Sequence, residues 1–243
     1  MKLLVVGAAG QVGWELQRSL QPLGTVIAAR RQDIDLSQPE TIGARIDALA
    51  PDVIVNAGAY TAVDKAESDE ATAYRVNAEA PGELAQAARR RGALLVHYST
   101  DYVFDGSQPT PYRETDPTCP LNAYGRTKLA GEQAIAQANG DWLVFRTTWV
   151  YASRGGNFAR TILRLAAERD ALSIVDDQFG APTSARFLAD ATARIVAQAQ
   201  AERSQQRFAS GLFNLSAGGR TSWHGFARAL IDGARARGQV LKV

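Results

Sequence analysis

The chain has 243 residues, 46% of them hydrophobic and 21% charged, an ordinary globular composition with enough apolar material for a sizeable core. Lys and Arg number 27 against 25 Asp and Glu, leaving a net charge of +2; that balance excludes a general field for gripping nucleic acid or an anionic membrane. The single cysteine, Cys119, excludes an intrachain disulfide and fits a reducing compartment. The apolar run Leu3 to Ala9 is too short to span a bilayer and is not flanked like a signal peptide, so a cytoplasmic protein is expected.

Short apolar runs alternate with longer helical patterns. Leu3–Val6 reads as a first strand and Val12 to Leu20 as the helix after it. Val26–Ala29 reads as a second strand. Ser37-Gln38-Pro39-Glu40 then resembles a capping box with an early proline, opening a helix through Ile42, Ile46 and Leu49. Asp52–Asn56 is a third strand. A helix bearing Leu84, Ala87 and Ala88 ends in Arg89-Arg90-Arg91-Gly92, where cations suit the helix dipole and glycine stops the helix. Leu94–Tyr98 follows as a strand, then a helix over about Tyr124 to Ala136 and a strand at Trp142–Phe145. Continuous aliphatic strands between helices predict a Rossmann-type, doubly wound parallel sheet, an α/β fold.

After Thr147 the rhythm loosens. Helices are expected over Phe158–Ala167, Ala185–Gln200 and Thr221–Arg237, with short strands at Ser173–Val175 and Leu212–Leu215. The expected division is a dinucleotide-binding domain over residues 1–147 and a smaller substrate lobe over 148–243, partly interleaved with the sheet. Val240-Leu241 reads as the start of a further strand, so a C-terminal continuation is expected.

Gly7-Ala8-Ala9-Gly10-Gln11-Val12-Gly13 follows the first strand and opens a helix. Glycines there let backbone approach a pyrophosphate, and the helix N-terminus offers N–H donors. The second strand ends in Arg30-Arg31, where a guanidinium would pair with a 2′-phosphate and a carboxylate would repel it. This favours NADPH, with NADH the alternative. Asp35 is placed to reach the adenine side.

Tyr124-Gly125-Arg126-Thr127-Lys128 puts a phenol and an ammonium at i and i+4 on one helix face. The lysine is expected to lower the phenol pKa, making Tyr124 a better proton donor to a developing alkoxide, and to hold the nicotinamide ribose. Ser99-Thr100-Asp101 falls at the end of the fourth strand, where open α/β sheets keep their sites. Thr100 is the hydroxyl to polarise a carbonyl, and Asp101 suits a substrate hydroxyl. His97 and His224 are expected in core or surface roles rather than in catalysis.

These stretches, with Asn56-Ala57-Gly58-Ala59-Tyr60 and Ser99 through Gly106, resemble the extended short-chain dehydrogenase/reductases. Thr61–Glu67, Phe145–Tyr151 and Asp177–Thr183 resemble the members that reduce the C4 keto group of dTDP-4-dehydro-L-rhamnose to dTDP-L-rhamnose. The resemblance implies a nucleotide-sugar substrate. It places Gly10, Gln11 and Val12 at the cofactor pyrophosphate, Asp35 and Leu36 beside the adenine, and Ala59, Tyr60 and Thr61 on the path to the nicotinamide. Thr100 and Asp101 would touch the sugar and Trp149 would pack on it. Some relatives use an acidic cluster for a Mg²⁺-linked dimer; Glu15 matches, but Arg186 stands where another acid is expected. No metal site is therefore expected, and Mg²⁺ and the choice between monomer and homodimer stay open. Two rival readings remain: a nucleotide-sugar epimerase or dehydratase that retains NAD, disfavoured by Arg30, and a non-catalytic NADP-binding regulatory subunit.

Overall fold

The computed structural model describes residues 1–243. In chain order its main elements are β1 (Lys2–Val6), α1 (Gln11–Ser19), β2 (Thr25–Ala29), α2 (Ile42–Leu49), β3 (Val53–Asn56), α3 (Val63–Ala66), α4 (Glu70–Tyr74), α5 (Ala80–Arg91), β4 (Leu94–Thr100), α6 (Ala123–Gln137) and β5 (Asp141–Thr147). There follow β6 (Val150–Tyr151), α7 (Phe158–Glu168), β7 (Phe179–Gly180), β8 (Thr183–Ser184), α8 (Ala185–Ser204), β9 (Gly211–Asn214), β10 (Thr221–Ser222) and α9 (Trp223–Arg235). They form two compact units, one of residues 1–147 with 189–215, the other of 148–188 with 216–243.

In the first unit six strands pair in the order β2-β1-β3-β4-β5-β9, all parallel. Leu3–Val6, Val53–Val55 and Leu94–Val96 are almost wholly removed from solvent, as a sheet covered on both faces requires. Leu4, Ile54, Leu95 and Val144 share a core with Ile42 and Ile46 of α2 and with Leu84 of α5. The parallel register sets Val6 beside Asn56, Asn56 beside His97 and Thr100 beside Thr147. The carboxyl ends of β1, β3, β4 and β5 therefore open on one edge, the edge where such sheets receive ligands. Gly92 ends α5 at φ 63°, with its N–H donating to the Arg89 carbonyl at 3.0 Å, so the basic run does close a helix.

Some local expectations are corrected. Ser37 caps no helix; its N–H and hydroxyl both donate to Asp35 Oδ1, at 2.9 and 2.7 Å. Asp35 is the nearer acceptor, Pro39–Thr41 makes a tight 3₁₀ turn and α2 begins only at Ile42. Glu40, the expected capping partner, pairs with Arg75 at 2.9 Å. Residues 189–215 join the first unit, because β9 continues the sheet beside β5.

In the second unit β6 pairs with β8 in parallel and β7 with β10 antiparallel. Ile162 and Ala166 of α7 pack with Ala227 and Ile231 of α9. Ser173–Val175 is not a strand: Ile174 joins that apolar cluster, and the Val175 carbonyl accepts from the His224 N–H at 3.0 Å instead of from a ladder. Val240-Leu241 is likewise irregular, with Leu241 on the same cluster. The last helix starts at Trp223, since Thr221–Ser222 is spent on the β10 pairing.

Candidate active site

The glycine turn after β1 is shaped by close backbone approach. Gly7 has φ +75°, and a Cβ there would stand 2.6 Å from the Gly58 nitrogen. A Cβ on Gly13 would meet the Gly7 carbonyl oxygen at 2.2 Å. The turn thus binds β1, the start of α1 and the loop after β3 into one backbone cluster. Gly10 is the N-cap of α1 and supplies no side-chain cap to the first-turn amides, and no acid stands in that turn. Amides so arranged suit an anion. A phosphate-bearing dinucleotide therefore fits this cradle.

At the end of β2, Arg30 is exposed and its N–H donates to Asp33 Oδ2 at 2.9 Å, while the Arg31 guanidinium lies 3.4 Å from Asp35. Partial burial works to raise the Asp35 pKa. The hydrogen bonds from the Ser37 side chain and backbone and from Arg31 outweigh it and hold the carboxyl below its usual range. Leu36 is buried against Gly58, where a Cβ would come within 2.7 Å of Leu36 Cδ1.

Beyond β3, Ala59, Tyr60 and Thr61 lie in a segment outside helix and strand, held at Tyr60 by Asn77. Asn77 Oδ1 accepts from the Tyr60 N–H at 2.9 Å, and Asn77 Nδ2 donates to the Tyr60 carbonyl at 3.0 Å and to Thr127 Oγ1 at 3.1 Å. Asn77 sits in a wide π-type turn, Arg75–Glu79, that joins α4 to α5. Gly131 of α6 lets that turn come close, since a Cβ there would meet the Asn77 carbonyl at 2.1 Å.

Thr100 and Tyr124 meet at the end of β4. Asn122 caps α6 through an acceptor bond from the Gly125 N–H, 2.8 Å, and fixes the turn that carries the tyrosine. Gly125 is required there, since a Cβ would lie 2.2 Å from the Tyr102 carbonyl oxygen. Thr100 Oγ1 donates to Asp101 Oδ1 at 3.1 Å and accepts from the Tyr102 N–H at 3.3 Å. Burial pushes the Tyr124 phenol up to about 12; the neighbouring Thr100 hydroxyl pulls the other way, and Asp101 and Tyr102 add to the rise. The expected lowering by Lys128 is thus overturned: desolvation of the phenolate prevails. The Tyr102 and Tyr124 rings meet edge to face with centroids 5.6 Å apart.

Lys128 is 1% exposed. Its Nζ donates to the Tyr98 carbonyl at 2.7 Å and lies 3.0 Å from His97 Nε2. His97 Nδ1 in turn lies 3.0 Å from Asn56 Nδ2, and Asn56 Oδ1 accepts from the Gly58 N–H at 3.1 Å. Burial lowers the Lys128 pKa to about 8, with the Glu132 carboxylate acting against the fall. Burial, then the Lys128 charge, also holds His97 well below the usual imidazole range, so the ring is neutral.

Trp149, in the second unit, has φ +45° and stacks on Trp223 with ring centroids 3.5 Å apart and planes at 11°. Gly180 backs it, for a Cβ would fall 2.5 Å from the Trp149 ring. Glu15 lies 3.7 Å from the Arg18 guanidinium, and no group of three His, Cys, Asp or Glu side chains is placed to hold a metal ion. Sequence reasoning missed Asn56, His97 and Asn77. Their only signal was polarity inside otherwise apolar or helical segments.

The family model described as the RmlD substrate binding domain matches residues 1–243. A dTDP-4-dehydrorhamnose reductase of Burkholderia thailandensis is 59% identical over 236 residues, 97% of this chain and 79% of that protein. The crystal structure of a dTDP-4-dehydrorhamnose reductase from Clostridium acetobutylicum superimposes with a TM-score of 0.88 at 37% identity, covering 100% of this chain and 82% of that one. One from Bacillus anthracis, in complex with NADP, gives 0.88 at 32% identity, covering 96% and 80%. The chain belongs to the dTDP-4-dehydrorhamnose reductase family.

Proposed function

We propose that the protein reduces the C4 keto group of dTDP-4-dehydro-L-rhamnose, giving dTDP-L-rhamnose, with NADPH favoured over NADH. The observation that carries the chemistry is the Tyr124 phenol set beside the Thr100 hydroxyl at the carboxyl end of β4, with Lys128 at the i+4 position of the same helix. The substrate follows from the family, and a relative that binds NADP supports the cofactor.

Gly7, Gly10, Gln11 and Val12 would hold the pyrophosphate, Arg30 the 2′-phosphate, Asp35 and Leu36 the adenine end, and Ala59, Tyr60 and Thr61 the way to the nicotinamide. Bound there, the nicotinamide cofactor supplies a hydride for the ketone carbon. Tyr124 gives its proton to the oxygen as the alkoxide develops. A phenol held near 12 is fully protonated at neutral pH and ready to act as the acid. Thr100 shares the same oxygen through its hydroxyl. Lys128 holds the ribose and, when protonated, favours the phenolate that Tyr124 becomes. Asp101 is proposed as a partner for a sugar hydroxyl and Trp149 as an aromatic face for the sugar.

The test is NADPH oxidation with dTDP-4-dehydro-L-rhamnose generated in situ, NADH run in parallel and the product identified. Stoichiometric consumption with formation of dTDP-L-rhamnose is expected. Conversion of a nucleotide sugar without net cofactor consumption would favour an internal-redox epimerase or dehydratase. Cofactor binding with no turnover of any keto sugar would favour a regulatory subunit.

A further inference from the structure

The hydrogen bonds from Gly58 through Asn56 and His97 to Lys128 have only one consistent direction. A backbone N–H can only donate, so the Asn56 atom facing Gly58 is its carbonyl oxygen. The Asn56 amide nitrogen, a donor, then faces His97 Nδ1. Nδ1 must accept. A neutral imidazole has one acceptor and one donor, so the proton of His97 sits on Nε2. Nε2 faces Lys128 Nζ. An ammonium is a donor only and would oppose that N–H; an amine has a lone pair that receives it, while its own N–H serves the Tyr98 carbonyl. The three side chains are buried, Asn56 and Lys128 each 1% exposed and His97 0%, so solvent cannot repair a mismatched pair among them.

We propose that Asn56 and His97 are positioning residues of the reductase. They lock the His97 Nε2–H tautomer, present it to Lys128, and so favour the amine form of the lysine that stands beside the proton donor. This rests on the reductase reading above for its meaning in turnover. The chain also ties the lysine to the loop after β3. Protonating Lys128 requires the His97 proton on Nδ1 and the Asn56 amide turned over, which abandons the Gly58 N–H. The titratable and charged groups around Lys128 are His97 from β4, Glu132 on its own helix, already engaged by Arg146 of β5, and, at the tyrosine end, Tyr124, Tyr102 and Asp101. None of the others can substitute for the direction set by Gly58. The lowered Lys128 pKa agrees with a lysine whose proton is loosely held.

The experiment reads the tautomer directly and needs no substrate. Of the two histidines, His224 is replaced in a His224→Gln background, leaving one ring in the ¹⁵N spectrum of the full chain. Above pH 8, where Lys128 is the amine, Nε2 is expected protonated and Nδ1 bare; the reverse assignment there overturns the proposal. Asn56→Asp then inverts the chain. Its carboxylate accepts from both Gly58 and His97 Nδ1–H, Nε2 becomes an acceptor and Lys128 keeps its proton. The proton should move to Nδ1, and the basic limb of the kcat profile should move up by about one pH unit or more. Asn56→Ala, which adds no charge, should move the limb the same way by less. Lower activity with the limb and tautomer unmoved in both variants would reduce Asn56 to a structural part and overturn the proposal. If no keto sugar is turned over, the reductase reading fails while the spectrum still decides the chain.

Discussion

Arg146 and Glu132 face each other as a fork, Nε to Oε1 at 2.9 Å and Nη2 to Oε2 at 2.6 Å, on side chains only 6% and 5% exposed. The pair joins β5 to α6, the helix that carries Tyr124 and Lys128. Removing one partner leaves a buried charge unmatched, so Glu132→Leu should cost about 3–5 kcal/mol in urea unfolding. Adding Arg146→Met should restore much of it. A double variant no more stable than Glu132→Leu alone would show that the fork itself is indispensable.

Tyr124→Phe keeps the ring against Tyr102 and removes the proton. Turnover should fall on the order of 10²–10⁴-fold while cofactor affinity changes little. Fluorescence titration beside steady-state rates separates the two. Near-normal turnover would take Tyr124 out of the acid role.

Turnover should depend on Lys128 before it depends on Tyr124. With Lys128 lowered to about 8 and Tyr124 raised to about 12, both by burial, both are protonated at neutral pH. As pH rises through about 8 the lysine loses its charge while the phenol stays intact. kcat should fall there, and a profile level to pH 10 would detach Lys128 from the chemistry.

Gly13→Ala places a methyl 2.2 Å from the Gly7 carbonyl oxygen, a backbone atom that cannot swing aside. The turn must open. Cofactor affinity should drop by tenfold or more, about 1.4 kcal/mol or above, as isothermal titration would record. Unchanged affinity would separate this turn from the pyrophosphate.

Arg30→Glu should invert cofactor preference. A charge-assisted bond to a 2′-phosphate contributes about 1.5–3 kcal/mol, or roughly 10- to 100-fold. The ratio of kcat/KM for NADPH to that for NADH should drop by at least that factor. A ratio left in place would assign the selection to another residue.

The sheet and the Tyr124–Thr100 pair were legible in the sequence because each is announced locally. Buried parallel strands are unbroken aliphatic runs, and a phenol and lysine at i and i+4 need only a helix to share a face. Asn56 and His97 were not legible, because their meaning depends on β3 and β4 pairing in the register that sets them side by side. His97 read as a core histidine and is buried as one; what the sequence could not show is that its ring points along a chain ending at Lys128. Asn77 lay in what looked like ordinary helix, and only the π-type turn aims it at Tyr60. The phenol pKa went the wrong way for a related reason: spacing reveals neighbours, whereas desolvation depends on everything packed around them.

The place of β9 has a consequence for how the chain is made. The edge of β5 gains its partner only from residues 211–214, dozens of positions after β5 itself. During synthesis the first five strands can assemble while that edge is still bare, an open template for pairing with another chain. A fragment ending at Thr147 should therefore aggregate, and the nascent protein should be most vulnerable to misassociation in the interval before Asn214 leaves the ribosome.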